Sequence, residues 1–512
     1  MALAACARAY KLTDLNIHNT IEKQNQFLQK TILADKSLTK KEKLAAVNLI
    51  KVDYDYYKIL LNEGTRRICE NCSDECLATL YCEHCVRNYL KANFSNWTSG
   101  NNDIDDLIQQ CQMETIKPDS IIEWIPYNKL KNINFLTKGG YSKIYTAGLI
   151  DGRYDTWDSK RKQLKRFGDQ KVVLKKLENI ESANRSWFEE CKSHLSISNK
   201  VMKVVLCFGL TQDPIDGNYM LVMRHLNMDL KDYSQQNYNK LTWKEKIQII
   251  FDIIHAVCDL HKENVIHRDL HSKNILFDQL IQKFRISDLA FCGPPNKPLN
   301  SIYGNLPYIA PELLCGKETT FASDIYSVGM LMWEISSGQP PFVCKHNYNL
   351  AVKIVNGKRP KIVPGTPLKY KELMEKCWDA DPTKRPDIKT LVKEINNINY
   401  YLNNEEQQLI SYDLQLDTNF DINSSPINSF FENISSRVYS FKDLPEPRNA
   451  TKEEQEALYN SIQFDFDLQD GLITVDSKPK RNYFNDDEKE LAVNYKKVKL
   501  NHKGDDENHE YF

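Results

Sequence analysis

Asp269 and Asn274 stand five positions apart in Val265-Ile266-His267-Arg268-Asp269-Leu270-His271-Ser272-Lys273-Asn274-Ile275-Leu276. Moving a phosphoryl group onto a hydroxyl needs a carboxylate to orient and deprotonate the acceptor, and an uncharged oxygen nearby to hold a metal ion against the phosphates. Asp269 is the candidate base and Asn274 the candidate metal ligand. A second carboxylate follows, because Phe284-Arg285-Ile286-Ser287 reads as a short strand that delivers Asp288 beside the loop, where it would bind magnesium. Upstream, Val172-Val173-Leu174-Lys175 reads as a strand ending in a cation for phosphate oxygens. A lysine closing an apolar strand is more often a solvated rim residue, but its place ahead of Asp269 reverses that expectation. Such a lysine needs a carboxylate to hold it, and Trp187-Phe188-Glu189-Glu190-Cys191-Lys192 offers two. Helical spacing puts Glu190 on the face of Trp187 and His194 and turns Glu189 about 100° away, so Glu190 is the expected partner.

The elements that must position these groups are legible in outline. Leu136-Thr137-Lys138-Gly139-Gly140-Tyr141-Ser142-Lys143-Ile144-Tyr145 matches a glycine-rich phosphate loop imperfectly, with Thr137 and Ser142 at two of the glycine positions and Ile144 at the valine position. Gly139 is the glycine expected to matter, since a missing side chain lets backbone N–H groups approach phosphate. Residues 153–170, rich in Lys, Arg and Gly, read as a surface insertion before the lysine strand. Tyr219-Met220-Leu221-Val222-Met223 reads as a strand. Thr242-Trp243-Lys244-Glu245 opens a helix as a capping box, and Ile247, Ile250, Phe251, Ile254 and Cys258 mark its buried face. That helix leads the chain to the Asp269 loop.

Taken in order, Lys175, Glu190, Asp269, Asn274, Asp288, Ala310-Pro311-Glu312 and Arg385 make the chain resemble the eukaryotic protein-kinase family over about residues 129–400. His271-Ser272-Lys273-Asn274 and Cys377-Trp378-Asp379 with Asp381-Pro382 and Arg385-Pro386 are similar to the tyrosine-kinase-like branch. Together with Tyr81-Cys82-Glu83-His84-Cys85 and Asn134 to Gly140, they resemble the kinase set expanded in arbuscular mycorrhizal fungi. The resemblance implies an α+β bilobal fold with a β-rich N-lobe and a helical C-lobe, and it implies ATP, Mg2+ and a protein hydroxyl acceptor. It implies an ATP site of Thr137, Gly139, Ile144, Lys175, Met223 and Leu226, the last two at the hinge. Ser301 and Tyr303 fall in the implied activation loop, where a phosphate on either would pair with Arg268. Glu312 would be held by Arg385, and Asp324 would brace the catalytic loop. Departures are Thr137, Ser142, Ala290 for the glycine after Asp288-Leu289, His271 for a lysine two residues past the base, and Asn305 for a threonine. The branch points to a serine or threonine acceptor, with tyrosine open. The competing reading is a pseudokinase scaffold that binds protein partners.

Ahead of that region lie a helical stretch, residues 1–65, and a Cys-rich segment, residues 66–115. Leu44, Val47, Ile50 and Val52, then Tyr54, Tyr57, Ile59 and Leu60, form an amphipathic face that needs a partner surface. Cys69-Glu70-Asn71-Cys72 and Cys82-Glu83-His84-Cys85 are paired C-x-x-C knuckles that suit one tetrahedral structural zinc, with Cys69, Cys72, Cys82 and Cys85 as ligands and Cys76 and His84 as competitors. The second knuckle is expected to open a helix.

The net charge of −1 excludes a broad field for nucleic acid or anionic membrane, and no run approaches the roughly twenty apolar residues of a membrane span. Neither partner is expected; protein partners are, through the N-terminal segment or the tail. Met1 to Cys6 lacks a basic flank and stops short of a secretory signal. Fourteen cysteines read as reduced thiols and metal ligands, which places the chain in the cytoplasm, or in the nucleus if Lys478-Pro479-Lys480-Arg481 serves as an address. Residues 401–512, dominated by Asn, Asp, Glu and Ser, are expected to be a mostly disordered tail.

Overall fold

The computed structural model describes residues 1–14, 17–138, 142–178, 186–295, 301–342, 344–405 and 436–457. Helices α1 (Ala2–Lys11), α2 (Ile21–Ala34) and α3 (Lys40–Leu61) open the chain. The sequence suggests a helical stretch over residues 1–65, but Asp35 ends α2 because its carboxylate accepts from the Ser37 N–H and hydroxyl, a local turn that competes with helix. Thr39 then restarts it with a capping box to Glu42. Part of the expected apolar face finds its partner within the chain, where Ala5, Ala9, Leu28, Ile32, Ala46, Val47 and Ile50 are buried together, whereas Leu44 and Leu60 are exposed. Farther along α3, buried Asp55 accepts from Thr79 N, Thr79 Oγ1 and Leu80 N, each at 2.8 Å, which ties the helices to the Cys-rich segment. That segment holds the short antiparallel pair β1 (Arg67–Ile68) and β2 (Glu75–Cys76), then α4 (Glu83–Ala92) and α5 (Asn102–Met113).

A six-stranded sheet follows, in the order β3 (Glu123–Trp124), β9 (Cys207–Gln212), β10 (Tyr219–Arg224), β8 (Gln170–Lys176), β5 (Lys143–Leu149) and β4 (Leu130–Lys138). Its early members are β3 (Glu123–Trp124), β4 (Leu130–Lys138) and β5 (Lys143–Leu149). The insertion then forms a hairpin, β6 (Tyr154–Asp158) and β7 (Gln163–Arg166). It is less superficial than its composition suggests. Leu164 is buried with Tyr81, Val86 and Leu90, Trp157 packs on the cysteine cluster, and Arg166 pairs with Glu123 at 2.6 Å. The chain continues through β8 (Gln170–Lys176), helix α6 (Trp187–Lys200), β9 (Cys207–Gln212) and β10 (Tyr219–Arg224). Alternation sorts β10: Leu221 and Met223 face α5 and α6, while Met220 and Val222 face the other layer with Val172 and Leu174.

The second lobe is mainly helical. Strand β11 (Met228–Asp229) leads to α7 (Leu230–Asn237) and α8 (Trp243–Lys262), whose Thr242 capping box with Glu245 forms. Strands β12 (Ile275–Asp278) and β13 (Lys283–Ile286) form a hairpin beyond the Asp269 loop. Then come β14 (Ile302–Gly304), α9 (Pro311–Leu314), α10 (Phe321–Ser337), α11 (Tyr348–Val355), α12 (Leu368–Cys377) and α13 (Ile388–Glu405). Helix α10 is apolar nearly all round and runs buried through this lobe, as such a helix must.

The basic cluster Lys478–Arg481 and most of the tail lie outside the described residues. The piece within them, 436–455, lies along the second lobe, and its strand β15 (Arg437–Tyr439) pairs antiparallel with β14.

Candidate active site

The Asp269 loop is held from below by Asp324 on α10. Its carboxylate accepts from His267 N at 2.8 Å, Arg268 N at 3.0 Å and His261 Nε2 at 3.0 Å. Burial works against the Asp324 charge, but His261 and these donors overcome it and keep the group below the usual carboxylate range. They also hold Arg268 at φ 71°, a left-handed value that a side chain disfavours and that persists only when its surroundings fix it. Asp269 N donates to His267 Nδ1 at 3.3 Å, so the ring proton sits on Nε2 and donates to the Ser287 carbonyl at 3.0 Å. Burial keeps that imidazole below its ordinary pKa, hence neutral.

Asn274 Nδ2 donates to the Asp269 carbonyl at 2.9 Å and to Oδ2 at 3.3 Å. The Asn274 carbonyl accepts from Ser287 N at 2.8 Å, which brings Asp288 to the same place. Asp288 has φ 56°, so the strained backbone position falls here and not on Ala290. Ala290 is buried, and its N–H donates to Asp288 Oδ1 at 3.3 Å.

Lys175 on β8 joins the two lobes of the site. Its Nζ lies 2.8 Å from Glu190 Oε1 and 2.6 Å from Asp288 Oδ1. Burial alone would lower the amine's pKa; the two carboxylates reverse the effect and hold it charged, above the usual lysine range. Asp288 moves the other way: burial pushes it up, Lys175 overcomes this, and it stays well below the usual carboxylate range. Glu190, the glutamate chosen by helical phase, is the one that reaches Lys175. His194, four residues on, accepts from Leu289 N at 3.2 Å and so ties α6 to the turn after Asp288. Sequence reading gave His194 only a face, not this function.

On the nucleotide side, Ile144 stands opposite Thr137 on β4 and Lys175 on β8. Met223 is buried at the end of β10, and Leu226 packs on the same cluster. Gly139 lies outside the described residues. Glu312 and Arg385 make a buried two-bond pair at 2.8 and 2.7 Å. The Arg268 fork donates to the carbonyls of Phe291 at 3.0 Å and Pro294 at 2.7 Å. Tyr303 is buried, stacked on Phe291 with ring centroids 3.6 Å apart. Ser301 borders a cavity of about 150 Å³ that Arg268 and Lys317 also line.

A separate cluster lies in the Cys-rich segment. The sulfurs of Cys69, Cys72, Cys82 and Cys85 are all within 4.8 Å of one another. Cys82 caps α4 and Cys85 lies in its first turn. Burial disfavours the Cys69 thiolate, but the backbone N–H groups of Cys72 and Asn71 bring it down to about 6. Cys76 groups instead with Cys82 and Glu83, and Glu83 accepts from the Leu77 and Ala78 amides. His84 is in neither group.

One residue escaped sequence reading entirely. Ser436 is buried and donates from Oγ to Asp269 Oδ1 at 2.8 Å, with His271 Nε2 at 3.0 Å. Its only signal is a short alternation, Val438 and Tyr439 to Phe441, inside a polar tail.

The chain belongs to the protein tyrosine and serine/threonine kinase family, whose model matches residues 130–395. Among curated proteins it is similar to the dual serine/threonine and tyrosine protein kinase of Homo sapiens, 34% identical over 185 residues that cover 34% of this chain and 19% of that protein. The protein of the same name from Danio rerio is 33% identical over 172 residues, covering 33% and 19%. The chain thus spans about a fifth of the length of these relatives. The kinase domain implies ATP, Mg2+ and a protein substrate. No described helix is long and apolar enough to cross a membrane.

Proposed function

We propose that the chain transfers the γ-phosphoryl group of Mg-ATP to a protein hydroxyl, serine or threonine first and tyrosine second. The observation that carries this reading is Lys175 bridging Glu190 and Asp288 while Asn274 and Asp269 share one hydrogen-bonded loop. Lys175 would bind the phosphates, with Glu190 holding it in place. Asp288 and Asn274 are the oxygen donors that would hold Mg2+, which supplies charge neutralisation for the transfer. Asp269 would orient the acceptor and take its proton. Thr137, Ile144, Met223 and Leu226 would frame the nucleotide, with Gly139 above the phosphates. Catalysis of this kind is mostly positioning and charge, and the charged groups are in register, so the scaffold reading is not favoured. The test is transfer of labelled phosphate to casein by the purified chain. Asp269→Asn is expected to lose roughly 10²–10⁴-fold in rate; equal rates for both proteins would overturn the proposal.

Four convergent thiols are a soft, fourfold donor set, and they fit Zn2+ in a structural site. Cys69, Cys72, Cys82 and Cys85 would hold it, and the metal would supply cross-linking of the two knuckles. Fourteen free cysteines suit a reducing compartment, which supports a cytoplasmic location. Regulatory protein partners would meet the chain through the N-terminal helices or the tail. Ser301, which lines one cavity with Arg268 and Lys317, and Tyr303 are the activation-loop phosphosites; the Ser301 hydroxyl and the Tyr303 ring are both buried in this state, so modification of either requires the loop to open.

A further inference from the structure

Residues 436–441 lie where an incoming acceptor chain has to lie. Strand β15 runs antiparallel to β14, with Arg437 opposite Gly304, Val438 opposite Tyr303 and Tyr439 opposite Ile302. This is strand addition, in which main-chain hydrogen bonds supply binding and alternate side chains supply selectivity. Gly304 sits between this pairing and the catalytic loop: its φ is 138°, and a Cβ there would stand 3.1 Å from Ile309 and 3.4 Å from Asp269 Oδ1.

The side chains are seated as well as the backbone. Tyr439 is buried among Leu306, Ile309, Leu314, Leu350 and Ile354, and Phe441 stacks on it with centroids 5.3 Å apart. Val438 packs on Tyr303. Arg437 donates to the His346 carbonyl.

Beyond the strand the tail is fastened again. Lys317 pairs with Glu446, and Arg448 N donates to the Val355 carbonyl at 3.0 Å. Asn449 Oδ1 accepts from Ala380 N at 2.9 Å, while its Nδ2 donates to Asp379 Oδ1 at 2.9 Å. Gly357, φ 92°, leaves room for the crossing: a Cβ there would fall 2.2 Å from Ala450 N. These contacts set the strand so that one hydroxyl, Ser436 Oγ, donates directly to the carboxylate of Asp269.

We propose that Ser436 is an intramolecular phosphoacceptor, and that its segment fills the acceptor groove until it is modified. This rests on the kinase reading above and names the first substrate of that same site. In the step, Ser436 Oγ forms a bond to the γ-phosphorus of a magnesium-bound nucleoside triphosphate. The bond from that phosphorus to the β,γ-bridging oxygen breaks, the nucleoside diphosphate leaves, and the hydroxyl proton passes to Asp269. Once Asp269 has released that proton to solvent, the product carries a phosphate of nearly two negative charges against the Asp269 carboxylate. Like charges at that distance repel, so the modified strand leaves and opens the groove to other chains.

The experiment uses the full chain, first stripped of phosphate, with Mg-ATP and with casein as external acceptor. Mass spectrometry is expected to place phosphate on Ser436, at a rate per molecule that does not change on dilution. Phe441→Asp, which removes an apolar anchor of the tail alone, should slow Ser436 modification and raise the initial rate on casein roughly tenfold, the scale on which a tethered segment outcompetes a free one. Ser436→Ala should keep the slow initial rate on casein without later acceleration. A casein rate equal in the parent chain and Phe441→Asp, with no phosphate on Ser436, would overturn the proposal and leave the kinase reading intact. So would a Ser436 rate that rises with protein concentration. If neither casein nor Ser436 gains phosphate beyond the Asp269→Asn control in any variant, the kinase reading fails and takes this one with it.

Discussion

Asn199 and Cys111 are joined by a hydrogen bond, with Asn199 Nδ2 donating to the Cys111 carbonyl at 3.0 Å. Asn199 lies on α6, the helix that carries Glu190, and Cys111 lies on α5 of the Cys-rich segment. Thr115 Oγ1 donates to the other end of the same amide at 3.2 Å. Around it Ile104, Leu107 and Ile108 are buried with Cys191 and Leu195, and Tyr56 Oη on α3 donates to the Lys200 carbonyl at 2.8 Å. Transfer requires the Lys175–Glu190 pair to be in place, so what fixes α6 also fixes activity. Asn199→Ala strands a buried carbonyl and a buried hydroxyl, which costs about 1–3 kcal/mol. Denaturant unfolding should report that loss, and steady-state transfer to casein should show a lower kcat; an unchanged kcat would count against the brace.

The same connection makes the thiol cluster matter to the distant site. Structural zinc contributes about 10–16 kcal/mol of binding free energy in small zinc peptides, more than this short, loop-rich segment can replace by packing. Cys82→Ser is expected to abolish stoichiometric zinc, release Arg67 from the Ala78 and Tyr81 carbonyls so that trypsin cuts there faster, and lower phosphoryl transfer because α5 loses its anchor. Metal analysis, limited proteolysis and the casein assay read the three effects separately. Full zinc content in the variant would remove Cys82 from the ligand set.

Lys175→Met is the sharpest probe of the central pair. It leaves Glu190, which is buried, without its cation, and breaking a buried pair from one side costs about 3–5 kcal/mol. It also removes a preorganised charge at the phosphates, worth roughly 10²–10³ in rate. The expected result is a folded but less stable protein with transfer near background. Retained kcat would move the phosphate-binding function away from Lys175.

What could be read from the sequence was whatever is set by local spacing. The catalytic loop, the capping box at Thr242 and the phase that distinguishes Glu190 from Glu189 all follow from periodicities of a few residues. The four knuckle cysteines are read from spacing alone, which leaves Cys76 open as a substitute; in the fold the four knuckle sulfurs converge, while Cys76 groups with Cys82 and Glu83. The hairpin 154–166 reads as surface because Lys and Arg dominate it, yet its apolar residues turn inward: Leu164 is buried, and Trp157 is half-buried against the cysteine cluster. Ser436 was out of reach. Its partner Asp269 is 167 residues away, and a serine in a polar tail carries no pattern that announces a groove on another element.

Glu334 gives the fold a pH dependence of its own. It is buried on α10, accepts from Tyr308 Oη at 2.5 Å, and burial, opposed by Tyr308 and Ser272, raises it from 4.5 to about 7. A carboxyl raised in the folded state holds its proton where the unfolded chain has already lost it. The folded state therefore binds more protons between about pH 4.5 and pH 7, and stability falls as pH rises through that window. The stabilisation is fully present below the window and absent above it, a swing of about 3 kcal/mol. Glu334→Gln keeps an oxygen for Tyr308 and removes the titration. Comparing denaturant unfolding at about pH 5 and pH 8, the variant should lose less stability than the parent by that amount. Parallel curves for the two proteins would mean that Glu334 titrates in its ordinary range.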